Sequence, residues 1–89
     1  AAMGHNVVFL KSDVDTNAFV TAAAKAPDYD YIPQDKLDEI LATTNLLGPG
    51  ESDTIEFTAP EPGEYTYVCS FPAHLFAGMV GVMEVVAAE

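Results

Sequence analysis

The sequence predicts a small all-β domain, an antiparallel sandwich of four or five strands with one helical excursion between the first two. Three observations carry this. Short runs rich in β-branched and aromatic residues recur along the chain. Clusters of Gly and Pro separate them. A single alanine-rich stretch carries helix propensity. Strands punctuated by turns in this way suggest a sandwich. With 89 residues, of which 49% are apolar, residues 1–89 are read as a single domain with a packed core. Domains this short bury a modest share of their surface. A ligand that binds only the folded state would therefore add useful stability.

Residues 6–10 (NVVFL) are β-branched and aromatic and predict the first strand. Residues 11–15 break it. Asp15 or Thr16 then caps a helix running to about Lys25, and Pro27 stops it. Residues 28–33 form an acidic loop with two tyrosines. Residues 33–41 predict a helical turn or two, with Leu37, Ile40 and Leu41 on one face. The same stretch equally leads into a strand at 40–44. Gly48-Pro49-Gly50 is a turn. Residues 52–59 alternate, with Ile55 and Phe57 on one side and Glu56 on the other, and predict a half-buried strand. Pro60-Glu61-Pro62-Gly63 turns the chain. Residues 64–69 form the next strand, with Tyr65, Tyr67 and Cys69 on one face, and residues 81–87 the last.

A formal net charge of −11 argues against nucleic acid and anionic membrane surfaces as partners. It favours a basic docking partner or simply solubility. The lone Cys69 excludes an internal disulfide. Residues 65–83 carry no Asp, Glu, Lys or Arg. The Ser, Thr, Pro and His within them, and the alternation before Cys69, argue against a spanning helix.

The chemistry lies in Cys69-Ser70-Phe71-Pro72-Ala73-His74-Leu75-Phe76-Ala77-Gly78-Met79. A thiol, an imidazole and a thioether stand at C-x4-H-x4-M spacing between two strands. Cys69 ends a strand and is held rigidly. His74 and Met79 follow on a loop that Pro72 and Gly78 allow to reverse. His5, just before the first strand, is the fourth candidate. Taken singly, each has a plainer reading: an inert buried thiol, a surface histidine, a core methionine. Together they form the His2Cys set with an axial Met that suits blue copper electron transfer. Asn6 is placed to hydrogen-bond across to the Cys69–Ser70 backbone and hold the two ligand-bearing pieces together. Otherwise it is an ordinary turn asparagine. Phe71, Pro72, Ala73, Leu75 and Phe76 surround His74 with uncharged side chains, which on a loop suggests a docking patch. Zinc quartets, phosphate-cradling Gly loops, Ser or Cys triads and EF-hand loops lack the residues they need.

Met3-Gly4-His5-Asn6, Gly48-x-Gly50-Glu51-x-Asp53, Gly63-Glu64 before an aromatic strand and Cys69-x-Phe71-Pro72-x-His74 resemble the azurin family of cupredoxins. The resemblance runs from Met3 to about Val86. Four residues, 75–78, separate His74 from Met79. That is one more than in azurin itself and is more like the auracyanin branch of the family, found in photosynthetic bacteria.

The resemblance implies a cupredoxin-like Greek-key β-sandwich with a helical flap and one type 1 copper cycling between Cu(I) and Cu(II). It implies His5, Cys69, His74 and Met79 as metal ligands. Gly4, Asn6, Ser70 and Phe71 would support them, and Met3, Pro72, Ala73, Leu75 and Phe76 would form a patch where redox partner proteins dock around His74. Family members carry further strands before the Gly-His-Asn motif, and here the motif starts at Gly4. The expectation is a domain lacking the first strands of the family and N-terminally incomplete, since a sandwich without them leaves open edges. The implied function is that of a single-electron carrier, not an enzyme, in a photosynthetic or related electron-transport chain. Its place would be periplasmic or extracytoplasmic, with a possible membrane tether outside this chain. The alternative is a copper-binding protein for delivery or storage.

Overall fold

The β-branched run after Asn6 becomes a strand, β1 (Val8–Leu10), shorter than the expected 6–10. In this computed structural model, which describes residues 4–48, 50–71 and 78–87, Val8 and Leu10 are fully buried on one face of β1 while Phe9 turns to the other. This is the period-two alternation of a strand.

The helical excursion follows. Asp15 caps α1 (Thr16–Ala23), its Oδ1 accepting the Ala18 N–H at 3.1 Å. The helix ends before Lys25, with Ala24 at its C-cap. Phe19 and Ala23 are its buried residues. The acidic loop contains a 3₁₀ turn at Pro27–Tyr29.

A second 3₁₀ segment, Gln34–Glu39, starts after Pro33 as expected. It does not present Leu37, Ile40 and Leu41 on one face. The backbone leaves helical geometry at Lys36 (φ −124°) and Leu37 stays exposed. Ile40 and Leu41 open a strand, β2 (Ile40–Thr43), so they point to opposite sides of a sheet. Pairing with β1 decides between the two readings of this stretch.

Strands β3 (Gly63–Val68) and β4 (Val80–Val85) complete an antiparallel sheet in the order β2-β1-β3-β4. Val8 stands opposite both Thr43 and Val68, and Val68 opposite Val80. The flap covers one face. Val8, Leu10, Phe19 and Val68 form the core there, with Val14, Val20, Ile32 and Ile40 packed against it. Each large side chain buried in this way contributes about 1.5–3 kcal/mol.

Residues 52–59 are a correction: they form no strand. Only Ile55 among them is half-buried; Phe57 is exposed, with its ring 5.2 Å from that of Phe9. Among the described residues, however, no strand offers them a backbone ladder, and alternation alone cannot supply one. Asp53 fastens the segment instead, its Oδ2 accepting the Asn45 N–H at 2.9 Å. Phe57, Phe9 and Tyr67 make an aromatic cluster on the sheet face away from the flap, with Phe9 and Tyr67 at 5.7 Å. Gly81, opposite Tyr67, is needed there because a Cβ would overlap the Tyr67 ring.

Candidate metal centre

The site is built where β1 begins and β3 ends. Val8 and Val68 are partners in the antiparallel ladder. Two residues outward along each strand the same face carries Asn6 and Ser70. Both are buried, and they bond twice. Asn6 Nδ2 donates to Ser70 Oγ at 2.8 Å, and the Ser70 N–H donates to Asn6 Oδ1 at 2.8 Å. This is the cross-connection expected of Asn6. It sets the chain at His5 beside the chain at Cys69.

Cys69 is buried, at 4% exposure. Its N–H donates to the Met79 carbonyl at 3.1 Å, carrying the β3–β4 pairing one step past Val68 and Val80. Gly78 makes the return possible. Its φ of 89° lies in the left-handed region that favours glycine, and its carbonyl accepts the Val80 N–H at 2.9 Å. The thiol and the thioether thus leave adjacent strand ends.

His5 is fixed from the other side. It exchanges two backbone hydrogen bonds with Leu47, at 2.9 and 2.7 Å. Gly4 is buried against Leu46, whose Cγ and Cδ1 would lie 3.0 Å from an added Cβ. Phe71 is half-buried and meets the Tyr31 ring. His74, with Met3, Pro72, Ala73, Leu75 and Phe76, lies outside the described residues.

The donors fit a soft metal. Cys69 offers a buried thiol just past β3, Met79 is its backbone partner before β4 and is exposed, and His5 is exposed on the segment before β1. Thiol, thioether and imidazole are the donor types that suit copper. No three His, Cys, Asp or Glu side chains gather among the described residues, so carboxylates build no competing hard-cation site there. No buried side-chain N or O among the described residues lacks a partner.

The sequence reading missed the supports on the 44–47 segment. Thr44 Oγ1 accepts the Val7 N–H at 3.0 Å, and the Thr44 N–H donates to the Val7 carbonyl at 3.0 Å. Leu46 and Leu47 hold Gly4 and His5. No local signal marks these residues. Only the β1–β2 register brings them to the site.

The chain matches, over residues 1–86, the family model described as copper binding proteins, plastocyanin/azurin family. It belongs to that family. Auracyanin-B of Chloroflexus aurantiacus is 40% identical over 82 residues, which cover 91% of this chain and 35% of that protein. Azurin of Alcaligenes faecalis is 38% identical over 88 residues, covering 94% of this chain and 66% of that one. The dithionite-reduced auracyanin of Roseiflexus castenholzii superposes with a TM-score of 0.85 at 44% identity, over 96% of this chain and 68% of that chain. The cupredoxin therefore spans about a third of auracyanin-B and about two thirds of azurin. Its antiparallel β architecture with short helices is that of the auracyanins, the branch that the residue spacing after His74 resembled.

Proposed function

We propose that this cupredoxin is a one-electron carrier with a single type 1 copper held by His5, Cys69, His74 and Met79. The observation that supports it best is the double Asn6–Ser70 hydrogen bond, with the Cys69–Met79 backbone bond beside it. Two segments separated by more than sixty residues, the one next to His5 and the one next to Cys69, are locked together. Copper bound there supplies the Cu(I)/Cu(II) couple.

The protein's own part is to keep its ligands still. Cys69 presents its sulfur from the end of β3, buried and away from water. Asn6 and Ser70 hold the two segments in register whichever oxidation state is present. A ligand set that does not move between states needs little reorganisation when an electron arrives or leaves. Burial and hydrogen bonding around the sulfur set the potential. The electron enters from a reduced donor and leaves to an oxidised acceptor, and no bond is made or broken.

Redox partners dock at the uncharged patch of Met3, Pro72, Ala73, Leu75 and Phe76 around His74, in a small transient interface. The −11 net charge favours a basic partner surface. The similarity to auracyanin and azurin supports service in a photosynthetic or related chain, at a periplasmic or other extracytoplasmic site. No helix among the described residues is long and apolar enough to cross a membrane. A tether outside this chain is compatible with that.

Voltammetry of the copper-loaded protein tests the reading. A reversible one-electron wave is expected. Absence of a wave, together with rapid copper transfer to a chelator, would favour delivery or storage instead. The burial of Cys69 weighs against that alternative.

A further inference from the structure

Asp30 (φ 56°) and Tyr31 (φ 62°) are consecutive non-glycine residues in the left-handed region. Bulky residues stay there only where the surroundings hold them. The hold is visible on both sides. The Tyr31 N–H donates to the Ala26 carbonyl at 2.9 Å and the Ile32 N–H to the Tyr29 carbonyl at 3.0 Å. Ile32 then packs against the core cluster and Pro33 is buried. Next to this anchored Ile32, the Tyr31 ring meets Phe71 edge-on, with centroids 4.9 Å apart and planes at 63°.

Phe71 follows Cys69 and Ser70 directly. Tyr31 and Phe71 also line a cavity of about 220 Å³ whose walls include Gly4, next to His5, and Leu47, the backbone partner of His5. The flap therefore touches the Cys69-bearing segment through the Tyr31 ring and shares a cavity with the segment that carries His5.

We propose that Tyr31 is a positioning residue for the metal centre: its ring, carried on a left-handed turn of the flap, braces Phe71 and so fixes the backbone that presents Cys69. This rests on the copper reading above. Ser70 is clamped by Asn6 on one side, and Phe71 is braced by Tyr31 on the other. Edge-to-face aromatic pairs add attraction beyond the area they bury. Contacts one layer out from a ligand set its orientation and its hold on the metal.

The test compares wild type, Tyr31→Ala, Tyr31→Phe and Tyr29→Ala. Tyr29 shares the turn and is 58% exposed, so its variant controls for general loosening of the flap. In the metal-free protein, Tyr31→Ala should speed amide exchange at Ser70 several-fold and leave Val8 and Val68 unchanged. In the copper-loaded protein it should raise the rate of copper loss to a chelator by about tenfold, the low end for outer-layer contacts, and shift the reduction potential. Tyr31→Phe keeps the ring and should match wild type, as should Tyr29→Ala.

Unchanged Ser70 exchange in Tyr31→Ala overturns the proposal. So does equal acceleration at Val8 and Val68, an equal effect of Tyr29→Ala, or altered exchange with unaltered copper loss and potential. A wild-type protein that takes up no copper refutes the copper reading itself. The metal-free exchange comparison then still decides, separately, whether Tyr31 braces the Cys69 segment.

Discussion

Asn6 and Ser70 grip each other with two hydrogen bonds of 2.8 Å, one from each partner. Both residues are buried, Asn6 at 4% and Ser70 at 0% exposure. Neither strand ladder reaches this point, so the side chain of Asn6 stands in for the next rung between β1 and β3.

Asn6→Ala should therefore be costly. It leaves the Ser70 N–H and Oγ without these partners in a dry site, a loss of about 1–3 kcal/mol. Ser70→Ala removes a single bond and should cost less. Chemical denaturation of both variants and the double mutant should give a coupling energy clearly different from zero. Simple additivity would mean the pair does not act as a unit.

Gly81→Ala should push the Tyr67 ring aside. The overlapping atoms are at the far end of that ring, so the ring swings away and the Phe9–Tyr67 contact is lost. The expected cost is about 0.5–1.5 kcal/mol, the size of an aromatic pair. In a Tyr67→Ala background the same change should be close to neutral. A full cost in that background would show that the glycine is needed for backbone reasons.

Asp15→Ala should lower stability by about 1 kcal/mol through loss of the α1 cap. Asp15→Asn retains an acceptor oxygen and should recover most of the loss. Helical circular dichroism during thermal unfolding would read both. Equal destabilisation by the two variants would point to charge, not capping.

Phe19→Ala should be the most damaging change in the flap. The side chain is fully buried and is the largest such residue among the described ones. Truncation of a buried Phe costs about 3–5 kcal/mol. Loss of a folded protein, or a much lower denaturation midpoint, is expected. A near-neutral result would mean the flap is not part of the cooperative fold.

The parts of the structure legible in the sequence were those with local causes. Asp15 before an alanine run, Gly and Pro at turns and the valine-rich strands each act through their immediate neighbours. Asn6 was legible because a side chain able to both donate and accept stood beside a candidate ligand. Residues 52–59 alternate in sequence but form no strand, because alternation supplies no ladder partner, and Phe57 rests against Phe9 through its ring alone. The kink at Lys36 and the Tyr31–Phe71 contact depend on the path of the whole flap. Nothing in the neighbouring residues encodes them.

Copper binding at this centre depends on Cys69 giving its sulfur to the metal. Visible absorption spectra of wild type and Cys69→Ser, each titrated with Cu(II), test this most directly. Wild type should develop one intense sulfur-to-copper band that saturates at a single equivalent, and the serine variant should stay nearly colourless. An equally intense band in the serine variant, or none in wild type, would contradict it.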